Sequence, residues 1–208
     1  MEFPRTDFLH EPKKPNGCGL VLTHGAGGNV TAPLLIAVAE AFCDAGVRVR
    51  RYTLPFREKR PFGPPSPAGA AADRAGLREA VLEMRTHAQG AVFLGGHSYG
   101  GRQASMLAAE EPGLADALLL LSYPLHPPGQ PEKLRTAHFP ALRTPALFVH
   151  GTKDDFGSPS EMRAALALIP ARVAFVALEG AGHDLKKGRF DVPQAAFGES
   201  RGKEIFGL

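Results

Sequence analysis

The stretch Ala91–Gly101, Ala-Val-Phe-Leu-Gly-Gly-His-Ser-Tyr-Gly-Gly, constrains the fold of this chain more than any other. Ala91 to Leu94 form a continuous apolar run, the pattern of a parallel strand covered on both faces. Gly96-His97-Ser98-Tyr99-Gly100 follows as G-x-S-x-G, and Gly101–Glu111 reads as a helix. A serine at so sharp a strand-to-helix turn has strained backbone geometry, and the residues two away on either side crowd the flanking strand and helix. Gly96 and Gly100 have no Cβ to clash there. The turn lifts Ser98 above the carboxyl edge of a sheet, with the Tyr99 N–H pointing the same way.

The rest of the chain supplies the sheet. A rhythm of apolar strand, loop and amphipathic helix begins at Gly19 and predicts strands over Gly19–Thr23, Val47–Leu54, Ala115–Ser122, Ala146–His150 and Arg172–Leu178. Between them lie helical patterns. One carries Leu34, Val38 and Phe42, with Thr31 as N-cap, Pro33 in the first turn and a stop at Gly46. Another carries Leu77, Val81 and Met84. Ser158-Pro159-Ser160-Glu161 is a capping box opening a third, with Met162, Ala165, Leu166 and Ile169 inward. Met1–Gly17 has room for at most one short edge strand, and the tail from Asp191 reads as a short helix burying Phe197, Ile205 and Phe206. Pro55–Pro67 is proline-rich and without a pattern: an ordered surface loop over the site or a solvated connector. The expected architecture is one domain over 1–208, a three-layer α/β fold with a mostly parallel sheet of about six or seven strands and no cap domain. Right-handed crossovers bring the carboxyl ends of all parallel strands to one side.

Ser98, Asp154 and His183 each fall just past a separate strand, so this topology gathers them on one rim. Serine needs a base to become nucleophilic, an imidazole can take and return its proton, and a carboxylate can hold the imidazole tautomer and balance its charge. Asp155 competes with Asp154, because a shift of one residue in the strand would exchange them. His24-Gly25-Ala26-Gly27-Gly28 follows the first core strand, and Ala26 and Tyr99 are the expected backbone donors to an oxyanion.

The motifs Thr23-His24-Gly25-Ala26-Gly27-Gly28, Gly96-His97-Ser98-Tyr99-Gly100-Gly101-Arg102, Tyr123-Pro124-Leu125-His126-Pro127-Pro128-Gly129, Gly151-Thr152-Lys153-Asp154 and Gly182-His183-Asp184-Leu185 resemble those of the small, lidless α/β-hydrolases related to dienelactone hydrolase. The resemblance runs from about Gly19 to about Leu185 and is strongest to the subgroup containing the hydrolase-like domain of a chromatin-acetylation complex subunit and its short bacterial relatives. It implies an α/β-hydrolase fold with Ser98, Asp154 and His183 in the triad positions. Dienelactone hydrolases proper carry cysteine where this chain has Ser98, and Tyr123–Thr144 is too short for the cap that larger hydrolases insert. The expected activity is a serine hydrolase cleaving small or medium carboxylic esters or thioesters. The alternative is a catalytically idle scaffold that binds a partner protein.

Phe56, Tyr123, His126 and Phe156 are the expected substrate-pocket wall. His24 and His97 are expected to hold backbone turns. For Arg102, pairing with a neighbouring carboxylate is expected ahead of pairing with a substrate anion, and Arg57–Arg60 reads as a solvated loop. A net charge of +3 with scattered Lys and Arg argues against a nucleic-acid partner. Cys18 and Cys43 make no disulfide framework, and Cys43 is expected as a small core residue. No metal spacing and no cofactor motif is present: Gly25-x-Gly27 is followed by Val30 where a dinucleotide fingerprint needs glycine. No stretch reaches membrane-spanning length and the first residues lack a basic-then-apolar leader, so the expected setting is cytoplasmic.

Overall fold

The computed structural model describes residues 8–185 and 200–208. Seven strands form one sheet: β1 (Phe8–His10), β2 (Gly19–Thr23), β3 (Arg48–Tyr52), β4 (Val92–His97), β5 (Ala117–Leu121), β6 (Ala146–Gly151) and β7 (Val173–Leu178). The helices are α1 (Pro33–Asp44), α2 (Pro55–Lys59), α3 (Ala70–His87), α4 (Tyr99–Glu110), α5 (Pro159–Leu166) and α6 (Ser200–Phe206), with short 3₁₀ turns at Pro67–Gly69 and Phe139–Ala141. The strand order is β1-β3-β2-β4-β5-β6-β7. Only β1 is antiparallel, pairing with β3 at the edge. The other strands are parallel, so β4, β6 and β7 deliver their following loops to one rim.

Burial on both faces explains the unbroken apolar strands. Alternate residues enter two separate cores: Leu118, Leu120 and Phe148 pack with Leu77, Val81, Met84 and Met162 of α3 and α5. Leu119, Leu121 and Leu147 pack on the opposite face with Val38 and Phe42 of α1 and Ile205 and Phe206 of α6. The period of two along each strand thus divides one apolar run between two helical layers. No cap domain is inserted: the connection from β5 to β6 is loop with one 3₁₀ turn.

Local chemistry departs from expectation in four places. Thr31 does not cap α1; its N–H and hydroxyl both donate to Asn29 Oδ1, at 2.8 and 2.6 Å, and the N-cap position falls to Ala32. Cys43 is half-buried at the margin of α1 and not in the core. Pro55–Lys59 is a helix where the sequence shows no pattern, because its cap is remote: Asp73 Oδ1, on α3, accepts the Phe56 N–H at 3.0 Å. Arg57 on that helix is buried, not solvated. Elsewhere Gly46, at φ +90°, closes α1 with Val47 N–H donating to Phe42 O at 2.9 Å. The Ser158–Glu161 capping box forms as read. Of the expected tail residues, Ile205 and Phe206 are buried, and Phe197 lies outside the described residues. No helix among the described residues is long and apolar enough to cross a membrane.

Candidate active site

Ser98 stands between β4 and α4 at φ 50°, ψ −118°. A Cβ on Gly96 would lie 2.7 Å from Gly101 N, and one on Gly100 would lie 2.4 Å from His24 O. Glycine at both positions is what lets the turn close against β2 and its own helix. The Ser98 N–H donates to Leu121 O of β5 at 2.8 Å, which fixes the turn to the sheet.

Asp154 follows β6, with its Oδ1 accepting the Phe156 N–H at 2.9 Å. Its side chain is fully buried, whereas Asp155 is exposed. The loop after β7 is laid directly across the loop after β6. Lys153 N–H donates to Ala181 O at 2.8 Å and Gly180 N–H to Thr152 Oγ1 at 2.8 Å. A Cβ on Gly151 would lie 2.3 Å from Ala181 O, so the crossing requires glycine there. His97 Nε2–H donates to His183 O at 2.9 Å, and the Phe156 ring stacks on the His183 imidazole at 4.1 Å between centroids.

These supports bring three side chains into one row. His183 Nε2 is 2.8 Å from Ser98 Oγ, and His183 Nδ1 is 3.0 and 2.9 Å from the two Asp154 oxygens. The carboxylate can only accept, so Nδ1 carries the hydrogen and Nε2 is left to receive the serine hydroxyl proton. Beneath the row, His150 Nε2–H donates to Gly157 O at 2.7 Å and lies 3.6 Å from Asp154 Oδ2. Burial lowers the His150 pKa, favouring the neutral ring.

The second strand end contributes the glycine loop. The N–H groups of Ala26 and Tyr99 have no acceptor among the described residues, and both residues line a cleft together with Ser98. The sequence gives no sign of what holds this loop. Arg57 donates to Gly28 O at 3.1 Å and to Ala26 O, while Arg51 donates to Val30 O. His24 completes the anchoring: Nδ1–H donates to Gly25 O at 2.9 Å and Nε2 accepts the Leu54 N–H at 3.1 Å. Burial brings its pKa down to about 4, which keeps that tautomer neutral. Tyr99 is held from behind, its hydroxyl donating to Asp73 Oδ2 at 2.7 Å.

Two clefts meet at Ser98 and share Ala26 and Phe156. One, of about 340 Å³, is lined by His183, Asp184 and the apolar start of α1, including Pro33, Leu34 and Leu35. The other, of about 500 Å³, runs past Tyr99, Arg102, Gln103, Arg135 and Pro64–Pro67. Of the four expected wall residues only Phe156 lines them. Phe56 is buried between the rings of His24 and Tyr99, each 5.6 Å away between centroids, and so lies behind the wall. Tyr123 is in the core against Phe139 and Phe148, with its hydroxyl donating to Arg135 O at 2.6 Å. His126 turns to Pro127 O at 2.9 Å and toward Glu161 at 3.7 Å. Arg102 has no carboxylate partner among the described residues, contrary to the expected pairing.

A family model described as "Alpha/beta hydrolase domain" matches residues 17–194. The chain belongs to this alpha/beta hydrolase family. Solved structures of the same fold include a lidless α/β serine hydrolase from Xanthomonas campestris, with a TM-score of 0.72 and 17% identity over 91% of this chain and 84% of that one. A dienelactone hydrolase from Anabaena variabilis superposes with a TM-score of 0.71 and 21% identity, covering 91% of this α/β-hydrolase and 88% of that chain. A shorter match, 51% identical over 49 residues, is to polyketide synthase ThaQ of Burkholderia thailandensis; it takes in 23% of this chain and 2% of that protein.

Proposed function

We propose that this α/β-hydrolase cleaves small or medium carboxylic esters or thioesters through an acyl-enzyme on Ser98. The unbroken row from Ser98 Oγ through His183 to Asp154, with contacts of 2.8 to 3.0 Å, carries the reading. In the first step Ser98 Oγ bonds to the substrate carbonyl carbon and its proton passes to His183 Nε2. Asp154 balances the imidazolium. The Ala26 and Tyr99 N–H groups receive the oxyanion. Collapse of the tetrahedral intermediate breaks the bond to the leaving oxygen or sulfur, which takes the proton from His183. Water then repeats the sequence: it loses a proton to His183, attacks the acyl carbon and releases the acid, and Ser98 regains its hydrogen. Clefts of about 340 and 500 Å³ suit small or medium ligands. The finer likeness to the subgroup with the chromatin-complex domain belongs to this same reading.

A fluorophosphonate probe tests it. Wild type is expected to label and Ser98→Ala to remain unlabelled; with a short p-nitrophenyl ester, His183→Ala should lower kcat on the order of 10⁴-fold. Labelling that persists in Ser98→Ala removes the serine from its role. A folded wild type that neither labels nor turns over esters favours a partner-binding scaffold.

A further inference from the structure

The two clefts at Ser98 differ in charge. Among the described residues, Arg102 and Arg135 are the only charged side chains along the larger one, and no aspartate or glutamate lines it. The Arg102 Nε is buried and has no hydrogen-bond partner among the described residues, and the guanidinium lies beside the Tyr123 hydroxyl. Among the described residues Arg135 makes one side-chain hydrogen bond, to Pro124 O at 3.3 Å. Beside them Gln103, fully buried, accepts from Arg74 through Oε1 at 3.0 Å and leaves its Nε2 without an acceptor. Four arginines elsewhere on this chain are differently placed: Arg50, Arg74, Arg78 and Arg85 each meet a carboxylate within 3.1 Å. This wall is therefore rich in donors and carries no carboxylate among the described residues, and burial together with the nearby Arg102 charge lowers the Arg135 pKa. An anionic group would relieve the mutual repulsion of the two guanidinium ions.

The second cleft differs in character: Asp184 and the apolar Pro33, Leu34 and Leu35 line it, and no arginine or lysine does among the described residues. It also contains His183, which the larger cleft does not touch. Under the acyl-enzyme reading, the leaving group must lie on the side of His183 Nε2 to take its proton. The acyl group then extends the other way, past Tyr99 toward the arginines.

We propose that the preferred substrates are half-esters of dicarboxylic acids: the acyl half carries a free carboxylate to Arg102 and Arg135, and an apolar alcohol or thiol leaves through the cleft beside His183. This rests on the hydrolase assignment for its chemistry but on the charged cleft alone for its recognition. Hydrolysis then adds one water across the ester or thioester bond and yields a dicarboxylate, a neutral alcohol or thiol, and one proton released to solvent. Arg102 pairs with the remote carboxylate and does not touch the reacting carbon.

Three substrates in a direct rate comparison test the assignment: monobutyl adipate, the uncharged butyl hexanoate, and 6-(butanoyloxy)hexanoate, whose carboxylate sits on the alcohol half. For wild type, kcat/KM for monobutyl adipate should exceed that for butyl hexanoate about 10- to 100-fold, the range for a charge-assisted pair. That ratio should collapse in Arg102→Met and in Arg135→Met, each of which keeps an apolar stem, and be partly restored in Arg102→Lys. Equal rates for the charged and neutral esters, a ratio that survives both methionine variants, or preference for the reversed ester would each overturn it. Calorimetric titration of adipate into Ser98→Ala gives a readout independent of turnover. Arg102-dependent binding there supports the anion subsite even if no ester is cleaved and the hydrolase reading has failed. Absence of binding, or binding indifferent to Arg102→Met in a folded variant, overturns it.

Discussion

At Arg57 a cation has been withdrawn from water to hold the carbonyls of Ala26 and Gly28. Those two residues belong to the loop whose Ala26 N–H has no acceptor among the described residues, so under the proposed hydrolase reading Arg57 acts as a positioning residue for the oxyanion donor. Arg57→Met should lower kcat about 10-fold or more while changing KM little, a split that steady-state kinetics with a short ester resolves. The adjoining acids give a sharper contrast. Asp154→Asn should lower kcat on the order of 10⁴-fold by inverting the His183 tautomer, while Asp155→Asn, exposed and out of contact, should stay within about 2-fold. Comparison of both with wild type under one assay decides it. Ser98, Asp154 and His183 were legible because each follows a strand end closely enough for topology to bring it to the rim. Phe56, Tyr123 and His126 occupy similar sequence positions, yet their side chains turn inward. Position after a strand fixes where a backbone emerges and leaves the direction of the side chain to packing, which depends on residues far along the chain.

Elements show the same division between local and remote causes. The α5 start is readable because all its parts lie within Ser158–Glu161, and Ser158→Ala should cost about 1 kcal/mol in the urea unfolding free energy. Helix α2 is unreadable because its capping carboxylate, Asp73, arrives from α3. The glycine motif of the elbow announces itself, whereas the need for Gly151 appears only once the loop after β7 is seen to cross it. Gly151→Ala should therefore push that loop away from β6, lowering both thermal stability and the rate of fluorophosphonate labelling. Labelling and melting temperature equal to wild type would contradict the crossing.

The whole molecule carries several histidines kept neutral by burial. His24 and His138 are brought down to about 4, His24 by desolvation ahead of the Arg57 charge and His138 by desolvation ahead of Arg102 and Arg74. Burial also lowers His97 and His150. An unfolded chain binds protons at His24 and His138 near pH ~6.5, while the native state declines them there until about 4. The stabilisation is thus complete above ~6.5 and drains away as the pH falls toward 4; for the fully buried His24 it amounts to on the order of 3 kcal/mol. The urea midpoint should drop steadily between pH 7 and 4.5, and a flat profile would contradict this. The stitching of the loops after β6 and β7 has a mechanical corollary. Asp154 and His183 ride on neighbouring strands bound loop to loop, while Ser98 belongs to β4, with β5 interposed. The imidazole and its carboxylate therefore travel together, and the bond from His97 to His183 O is the tether that keeps the Ser98 turn docked against them.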